Sequence, residues 1–592
     1  MRPVDVDLAG GLEALAGRLE SASGTVVLVA DDLQVHADAL ADLTEDPRQA
    51  TAALVSRPAD ASDRRPGADP AVRLRGGRVV AASSGAHRVR GGDAQFAGAL
   101  RVADGDRAAA AAGARQMAGL ARRAGWAGDP LDYLLVALVR GGTAVGTVSL
   151  DPWPWGRGGD PQERAAFDGR LRDIGPEQSH RLRLARATKA DDGAVATVLS
   201  RPLSRLVTPV ALRWGLSPNQ VTLGSVVIGL AAAACFATGD RVALVVGAVM
   251  LQLSLVVDCV DGDVARYTRS FSATGAWLDA STDRLKEFAC YGGLAWGAGD
   301  GDRAWLLAAA MLTLQTARHT VDYTFTAVKD LREAESAAAP LDRLGDSSAD
   351  EGSASARAVA ASERSNRNPA VKWAKRAVHM SIGERWLVLS VLAAAGRPLL
   401  ALGVLLVLGL LSLAYTSAGR SLRTRAWPRR APTGREREVV AAQADQGPLP
   451  GGAARALAGG AGRWLWARPA LLRLVEYAVL AGLVVAADAD ALPPAYALLL
   501  VVASHHYDEL YRVLHRLAPA APTTAVAGLG VVGRPVVVAV LALAGGDVLT
   551  GGLWVLAAVL GILYLVVEPA RVLREVRSAR PDAGEPGGAA DG

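Results

Sequence analysis

Residues 258–283 read DCVDGDVARYTRSFSATGAWLDASTD, and the rest of the chain is organised around them. Four of the five aspartates fall into two pairs, Asp258 with Asp261 and Asp279 with Asp283. Spacings of i, i+3 and i, i+4 put both members of a pair on one helix face. The first pair closes the apolar run Val242–Val257, and the second opens a run that continues through Phe288, Tyr291 and Trp296. Two helices are therefore predicted to bring two carboxylates each to one place near a membrane surface. Such a cluster repels itself, and Asp258 and Asp261 also sit where a helix C-terminus is already negative. Divalent cations relieve both problems, and an oxygen-only ligand set points to magnesium or manganese. Gly262, Ala265 and Gly275 lie between the pairs, where small residues let a ligand approach the backbone.

These residues fit the pattern D-x2-D-G-x2-A-R-x8-G-x3-D-x3-D at every fixed position: Asp258, Asp261, Gly262, Ala265, Arg266, Gly275, Asp279 and Asp283. The pattern resembles the signature of the CDP-alcohol phosphotransferases (CDP-alcohol phosphatidyltransferases). The resemblance implies an enzyme that moves a substituted phosphoryl group from a CDP-linked donor to an alcohol and releases CMP. It implies two divalent ions at the aspartates, with the first three as ligands and Asp283 as the base beside them in the same metal site. It places Gly262, Ala265, Arg266 and Gly275 at the donor, with Arg266 either supporting the diphosphate or locking an aspartate. Asp263 is not a fixed position and reads as a solvated acid.

Composition agrees with a membrane protein of several domains. Of the 592 residues 51% are hydrophobic and 21% charged, and mean hydropathy is +0.21. Apolar residues concentrate after residue 218 in runs of about 18–25, long enough to span a bilayer. The net charge of +5 is small, and the basic residues flank the apolar runs, which argues for membrane orientation and against nucleic-acid binding. The three cysteines, Cys235, Cys259 and Cys290, have neither zinc spacing nor a disulfide framework. The start, MRPVDVDLAGG, is not a secretory signal, so the N-terminal part is expected in the cytoplasm.

The predicted architecture is a soluble α/β domain followed by an all-α polytopic membrane region. Residues 1–185 form the α/β domain, with strands at Thr25–Ala30 and Ala52–Val55, a hairpin over Val72–Ala82, a helix over Ala108–Arg123, and two strands, Leu134–Val139 and Ala144–Leu150, joined across Gly141-Gly142. Their order resembles a nucleotidyltransferase-like (sugar-nucleotide pyrophosphorylase) domain. The glycine-rich basic phosphate loop is missing, since Gly10-Gly11 are followed by Leu12-Glu13, so the domain reads as degenerate. Asp31 or Asp32 would be its remaining nucleotide ligand, and a plain strand-end turn explains them better.

Residues 186–430 form the phosphotransferase domain. Its lead-in alternates Arg201, Arg205 and Arg213 with Leu203, Leu206, Val210 and Leu212, an interfacial amphipathic helix. The segments Lys189-x-Asp191-Asp192-Gly193, Ser200-Arg201-Pro202-x-Ser204-Arg205 and Ser217-Pro218-Asn219-x-x-Thr222 resemble the opening of the family's inositol-phosphate-type members. Six membrane helices follow, at about 220–238, 242–261, 276–297, 303–326, 384–397 and 399–417. Charge is low in the connections at 238–240, 299–300 and 396–397 and high at 266–269, 329–375 and 420–437, which puts the acid cluster on the cytoplasmic side. Residues 334–368 read as a disordered loop. A linker at 431–468 leads to a module at 469–592 of about four further membrane helices, of unknown role. There His505-His506-Tyr507-Asp508-Glu509 fits either a metal site or, the reading favoured here, the polar end of an interfacial helix.

Arg318, Arg385 and Arg420 lie in or beside apolar runs four to six. Arginines bind phosphate bidentately, so the three are assigned to an acceptor phosphate, against the alternative of salt bridges and interface anchors. The expected partners are the lipid bilayer, a CDP-linked donor, with CDP-diacylglycerol favoured over a soluble CDP-alcohol, and an alcohol or phosphorylated polyol such as inositol phosphate. A homodimer is compatible with this. A divalent-metal transporter is the rival from another class; it has no need of Gly262, Ala265 and Gly275 at fixed offsets. A catalytically silent scaffold is a third reading, opposed by the intact acids.

Overall fold

The computed structural model describes residues 7–46, 50–57, 71–75, 77–89, 92–158, 161–189, 193–299, 301–337, 341, 368–425, 427, 430–445, 447–448, 462–514 and 517–578. The chain divides into two compact units. The first comprises Met1–Thr188, Ala265–Phe271 and Lys329–Gly352, the second Lys189–Val264, Ser272–Val328 and Ser353–Gly592.

The first unit runs α1 (Leu8–Ser21), β1 (Val26–Val29), β2 (Leu33–Val35), α2 (Ala37–Glu45), β3 (Thr51–Ser56), β4 (Ala71–Arg75), β5 (Arg78–Ala82), β6 (Ala94–Val102), α3 (Arg107–Ala124), α4 (Pro130–Arg140), β7 (Val145–Ser149), β8 (Trp155–Arg157), α5 (Pro161–Arg172) and α6 (Pro176–Ala187). The main sheet has the order β1-β6-β3-β7-β5-β4, and β4 also pairs with β6. Among the described strand pairs, only β3 and β7 run parallel. Helices α1, α3 and α4 bury one face of the sheet, around Leu12, Phe96, Met117 and Leu134. The other face packs Leu43, Leu54 and Ala97 against Trp153. The β4–β5 hairpin forms as expected, with Gly77 supplying the positive φ of the tight turn.

One expected strand is a helix. Leu134–Val139 belongs to α4, because Asp129 caps the first turn by accepting from the Leu131 amide at 2.7 Å and Pro130 occupies the first helical position. The apolar run alone fits a buried strand or a buried helix, and the cap decides. Gly10 and Gly11 lie inside α1.

The second unit is helical: α7 (Arg201–Arg213), α8 (Pro218–Ala237), α9 (Arg241–Thr268), α10 (Ala273–Ala298), α11 (Asp302–Ala337), α12 (Pro369–His379), α13 (Ile382–Ala394), α14 (Pro398–Thr424), α15 (Gly434–Ala441), α16 (Arg468–Ala487), α17 (Leu492–Leu514), α18 (Pro522–Ala527), α19 (Gly530–Ala544), α20 (Gly546–Ile562) and α21 (Glu568–Ser578). α9 ends and α11 ends in segments grouped with the first unit. Among the described residues, six helical stretches are long and apolar enough to cross a membrane: Pro218–Ala237, Arg241–Thr268, Pro398–Thr424, Trp464–Ala487, Pro522–Ala544 and Gly546–Glu575. A seventh arises if Trp373–His379 and Ile382–Ala394, bent by 70°, count as one span. The other expected spans, α10, α11 and α17, are helices whose ionisable residues lower their hydropathy. Those residues point inward: Lys286, Glu287, Arg318 and His505 are all buried. Of the loop expected at 334–368, the first residues extend α11 and only Leu341 and Asn368 beyond it are described. Asp191, Asp192 and the tail residue Arg580 also lie outside the described residues.

Glycines set the spacing of α8 and α10. A Cβ on Gly293 would come within 2.3 Å of the Ala233 carbonyl oxygen, and one on Gly229 would strike the Lys286 stem at 2.8 Å. Small residues at such contacts let helix backbones approach closely, and here they bring α10 carboxylates beside α9.

Candidate active site

α8, α9 and α10 build the acid cluster. Asp258, Asp261 and Asp279 each turn one carboxylate oxygen to a common point, with those atoms all within 4.8 Å of one another. Two hydroxyls on one face of α8 orient the α9 pair. Thr222 donates to Asp261 Oδ2 at 2.6 Å, and Ser225 donates to Asp258 Oδ1 at 3.0 Å. Ser217 starts α8 with a reciprocal cap to Gln220, which fixes the phase of Thr222 and Ser225 on the helix.

Asp283 stands apart from the other three. It is held by Lys286, one turn later on α10, whose Nζ lies 2.9 Å from Asp283 Oδ1 and 2.6 Å from Asp258 Oδ1. The lysine side chain is fully withdrawn from solvent. Four carboxylates thus share one ammonium among the described residues of the cluster, and the surplus negative charge with oxygen-only donors fits hard divalent ions. Lys286 and Ser225 are the functional residues that the sequence reading missed. Both were readable as polar residues in apolar runs, at i, i+3 from Asp283 and Thr222 respectively.

Asp263 corrects its reading as a solvated acid. It is 1% exposed. It accepts from Arg201 Nη1 at 3.2 Å, Ser204 Oγ at 2.9 Å and Thr208 Oγ1 at 3.3 Å. Two residues beyond Asp261, it leaves α9 on the face that α7 covers. Arg201 and Ser204 of the lead-in motif therefore tie α7 to α9, while Leu206 and Trp214 remain exposed on α7.

Gly275 follows the cap of α10, its amide donating to Ser272 Oγ at 2.9 Å, and a Cβ there would meet that oxygen at 2.8 Å. Gly262 is one residue past Asp261 on α9. Ala265 and Arg266, still on α9, belong to the first unit, where Arg266 Nε donates to the Ala187 carbonyl.

The three arginines assigned to acceptor phosphate differ in their partners. Arg385 is gripped by buried Glu287 through two bonds of 2.6 and 3.0 Å, and Arg284 and Tyr291 share the same carboxylate. Arg420 pairs with Asp322. Arg318 donates to neutral groups: the His379 carbonyl at 2.8 Å, Ser412 Oγ at 3.0 Å and Gln315 Oε1 at 3.3 Å.

Helix α17 packs on α10 and α11. Trp277 Nε1 donates to Asp508 at 2.6 Å, Tyr496 OH to the Phe288 carbonyl at 2.7 Å, and Tyr507 OH to the Gln315 carbonyl at 3.1 Å. The double histidine is buried inside the helical unit and is not the interfacial helix end that the sequence led us to expect. His505 is 1% and His506 6% exposed, because α16, α19 and α20 enclose that side of α17.

Residues 215–341 match the family model for CDP-alcohol phosphatidyltransferase. Residues 426–590 match a model described only as a family of unknown function. The chain is similar to a phosphatidylinositol phosphate synthase of Mycolicibacterium smegmatis, 38% identical over 118 residues, covering 20% of this chain and 52% of the relative. A bifunctional IPC transferase and DIPP synthase of Rubrobacter xylanophilus is 33% identical over 248 residues, 42% of this chain and 50% of the relative. An archaetidylinositol phosphate synthase of Methanothermobacter thermautotrophicus is 35% identical over 85 residues, 14% of this chain and 42% of the relative. The chain spans about half the length of the curated relatives it matches. Over its middle the chain is thus similar to CDP-alcohol phosphatidyltransferases, and the three relatives named here support the inositol-phosphate branch.

Proposed function

We propose that this protein is an integral membrane CDP-alcohol phosphotransferase of phospholipid biosynthesis, transferring the phosphatidyl group of CDP-diacylglycerol to a hydroxyl of a phosphate-bearing polyol, with inositol phosphate as the leading acceptor. The observation that carries this reading is the division of labour among the acids. Asp258, Asp261 and Asp279 converge on one point, while Asp283, outside that group of three, shares the Lys286 ammonium with Asp258.

The three converging carboxylates would hold two Mg²⁺ or Mn²⁺ ions. Bound there, the ions supply neutralisation of the donor diphosphate and of charge on the bridging oxygen. Thr222 and Ser225 orient the Asp261 and Asp258 carboxylates. Asp283 takes the proton of the acceptor hydroxyl. The acceptor oxygen bonds to the donor phosphorus, the bond from phosphorus to the CMP oxygen breaks, and CMP leaves. Gly262, Ala265, Arg266 and Gly275 are assigned to the donor side. Arg318, whose partners are neutral, is the arginine best placed to accept an acceptor phosphate. The basic flanks of the acid-bearing helices support a cytoplasmic active site and N-terminal unit.

The similarity to the bifunctional IPC transferase and DIPP synthase over 248 residues favours, as a second reading, a soluble CDP-alcohol as donor. Purified protein with Mg²⁺ should release CMP from CDP-diacylglycerol in the presence of inositol phosphate. Asp258→Asn, Asp261→Asn or Asp279→Asn should each lower the rate by at least about a hundredfold. Release only from a soluble CDP-alcohol selects the second reading. Metal uptake into vesicles without CMP release selects the transporter. Full activity in chelator would sink the metal assignment.

A further inference from the structure

The C-terminal module holds a second ionisable cluster, fully separate in composition from the acids of α9 and α10. Asp445 enters it from the segment before α16, in a left-handed conformation with φ +44°. Glu476 and Arg473 come from α16, His505, His506 and Glu509 from α17, and Arg534 from α19.

Most of these groups are committed to one another. Arg534 pairs with Asp445 Oδ2 and with Glu476 Oε1, the latter at 2.6 Å. His506 bridges Tyr477 OH at 2.7 Å and Asp445 Oδ2 at 2.9 Å, which occupies both ring nitrogens. The guanidinium of Arg534 therefore already fills the space among Asp445 Oδ2, Glu476 and His506.

The other face of Asp445 is different. His505 Nε2 lies 3.5 Å from Asp445 Oδ1 and 3.6 Å from Glu509 Oε1, and these three donor atoms form a compact group. His505 and Glu509 stand i, i+4 on one face of α17. The His505 ring is stacked on Tyr564 at 3.8 Å with an interplanar angle of 5°, which fixes where Nε2 points. The ring is 1% exposed, and its Nδ1 has no hydrogen-bond partner. A protonated or donating Nε2 would draw up to one carboxylate at about 2.7–2.9 Å. Instead it sits nearly equidistant from two. Donor atoms about 2.0–2.1 Å from a tetrahedral ion are about 3.3–3.4 Å from each other, close to the spacings observed. Glu509 is 17% exposed, the most accessible of the three, and Arg473 Nη2 lies 3.9 Å from its other oxygen, Oε2.

We propose that Asp445 Oδ1, His505 Nε2 and Glu509 Oε1 bind a divalent transition metal, zinc by the mixed nitrogen and oxygen donors, in the C-terminal module. The site is independent of the phosphotransferase reading. Its role is to lock the segment before α16 onto α17, to which, among the described residues, Asp445 is otherwise joined through His506.

The test uses the full chain in detergent, stripped with chelator and returned to excess Mg²⁺ so that the α9 and α10 acids are occupied. It is titrated with Zn²⁺ alone, and in parallel with Co²⁺, whose visible absorption reports its ligands. The expected result is uptake of about one zinc per chain, a tetrahedral cobalt spectrum that zinc displaces, and a zinc-dependent rise in the thermal midpoint. Glu509→Gln, at the most exposed position of the three, should weaken zinc binding by about a hundredfold or more and abolish the rise. His505→Gln should do the same, and Asp258→Asn should leave both intact. The proposal is overturned if the stripped wild-type chain takes up no zinc under excess Mg²⁺. It is overturned equally if uptake survives in folded Glu509→Gln, or is lost in Asp258→Asn instead. In each case the cluster is an ion-pair network with a charged His505 and no metal.

Discussion

Lys286 on α10 donates to Asp258 on α9 at 2.6 Å, across the interface where the acids converge. A buried ammonium in that place does part of the neutralising work that divalent ions would do. Removing one partner of a buried pair strands the other, at about 3–5 kcal/mol. Lys286→Met should therefore unfold at lower temperature than wild type in metal-free buffer. Added Mg²⁺ should recover more of that loss in the variant, because Asp258 and Asp283 are then free to bind it. The apparent Mg²⁺ affinity of the variant should rise by about tenfold, one pKa-unit equivalent of interaction. Thermal unfolding against Mg²⁺ concentration checks this, and parallel curves for the two proteins would refute it.

The acid cluster was legible because its chemistry dictates its spacing: one helix turn separates Asp258 from Asp261 and Asp279 from Asp283. The four aspartates need no tertiary information to be found. Asp263 needed it, since nothing in the local sequence says that α7 will cover that face of α9 with Arg201, Ser204 and Thr208. The same holds for His505 and His506, polar by type and buried by helices far along the chain. Arg385 and Arg420 show a further limit. Their charge was visible, but Glu287 and Asp322, which hold them, are 98 residues away in both cases. For α4 the failure was local: six apolar residues carry no period, and the cap at Asp129 was not weighed.

The N-terminal unit should carry a pH signature of its own. Asp32, Asp129 and Asp132 all face Arg157. Asp132 is the most enclosed of the three, and burial, with Asp129 and Asp32 beside it, pushes its carboxyl up to about 7 against the pull of Arg157. The folded state therefore holds a proton that the unfolded chain has released. Its contribution to stability is complete below about pH 4 and is lost as pH rises to about 7, with a slope of at most ~1.4 kcal/mol per pH unit. Asp132→Asn keeps the shape and removes the titration. Denaturant unfolding of the N-terminal unit, followed through Trp153 and Trp155 fluorescence between those pH values, should be flatter in the variant. An unchanged slope would assign the proton elsewhere.

Arg318 tests the acceptor. Its guanidinium is buried and bonded to neutral oxygens only, among the described residues. A buried cation with no carboxylate partner costs several kcal/mol, which an anionic ligand would offset. Arg318→Ala should raise the acceptor KM by about ten- to a hundredfold, the loss of one charge-assisted bond of ~1.5–3 kcal/mol. The KM for the CDP donor should stay nearly constant. A donor-only effect would move Arg318 to the diphosphate side.

The last prediction joins the C-terminal module to catalysis. Trp277 and Asp279 are two residues apart on α10, so they leave the helix on different faces. Asp279 turns to the converging carboxylates of α9, while Trp277 donates to Asp508 of α17. Asp508 is in turn held by Arg512 at 2.8 Å, and Arg512 by Glu568 at 3.0 Å, so the anchor reaches α21. The N-terminal turn of α10 is thus fixed from behind by a module that supplies none of the converging acids. Asp508→Ala removes the acceptor for the indole and leaves Arg512 with one carboxylate partner fewer. It should lower kcat more than it raises either KM, since Asp508 acts on Asp279 through Trp277 and is not one of the converging acids. Trp277→Phe removes only the donor and should have the smaller effect. Because both act through one bond, the double variant should fall short of the sum of the singles by about 0.5–3 kcal/mol in the activation free energy. Strictly additive losses would mean that the bond does not transmit to Asp279, and that α17 supports α10 through packing alone.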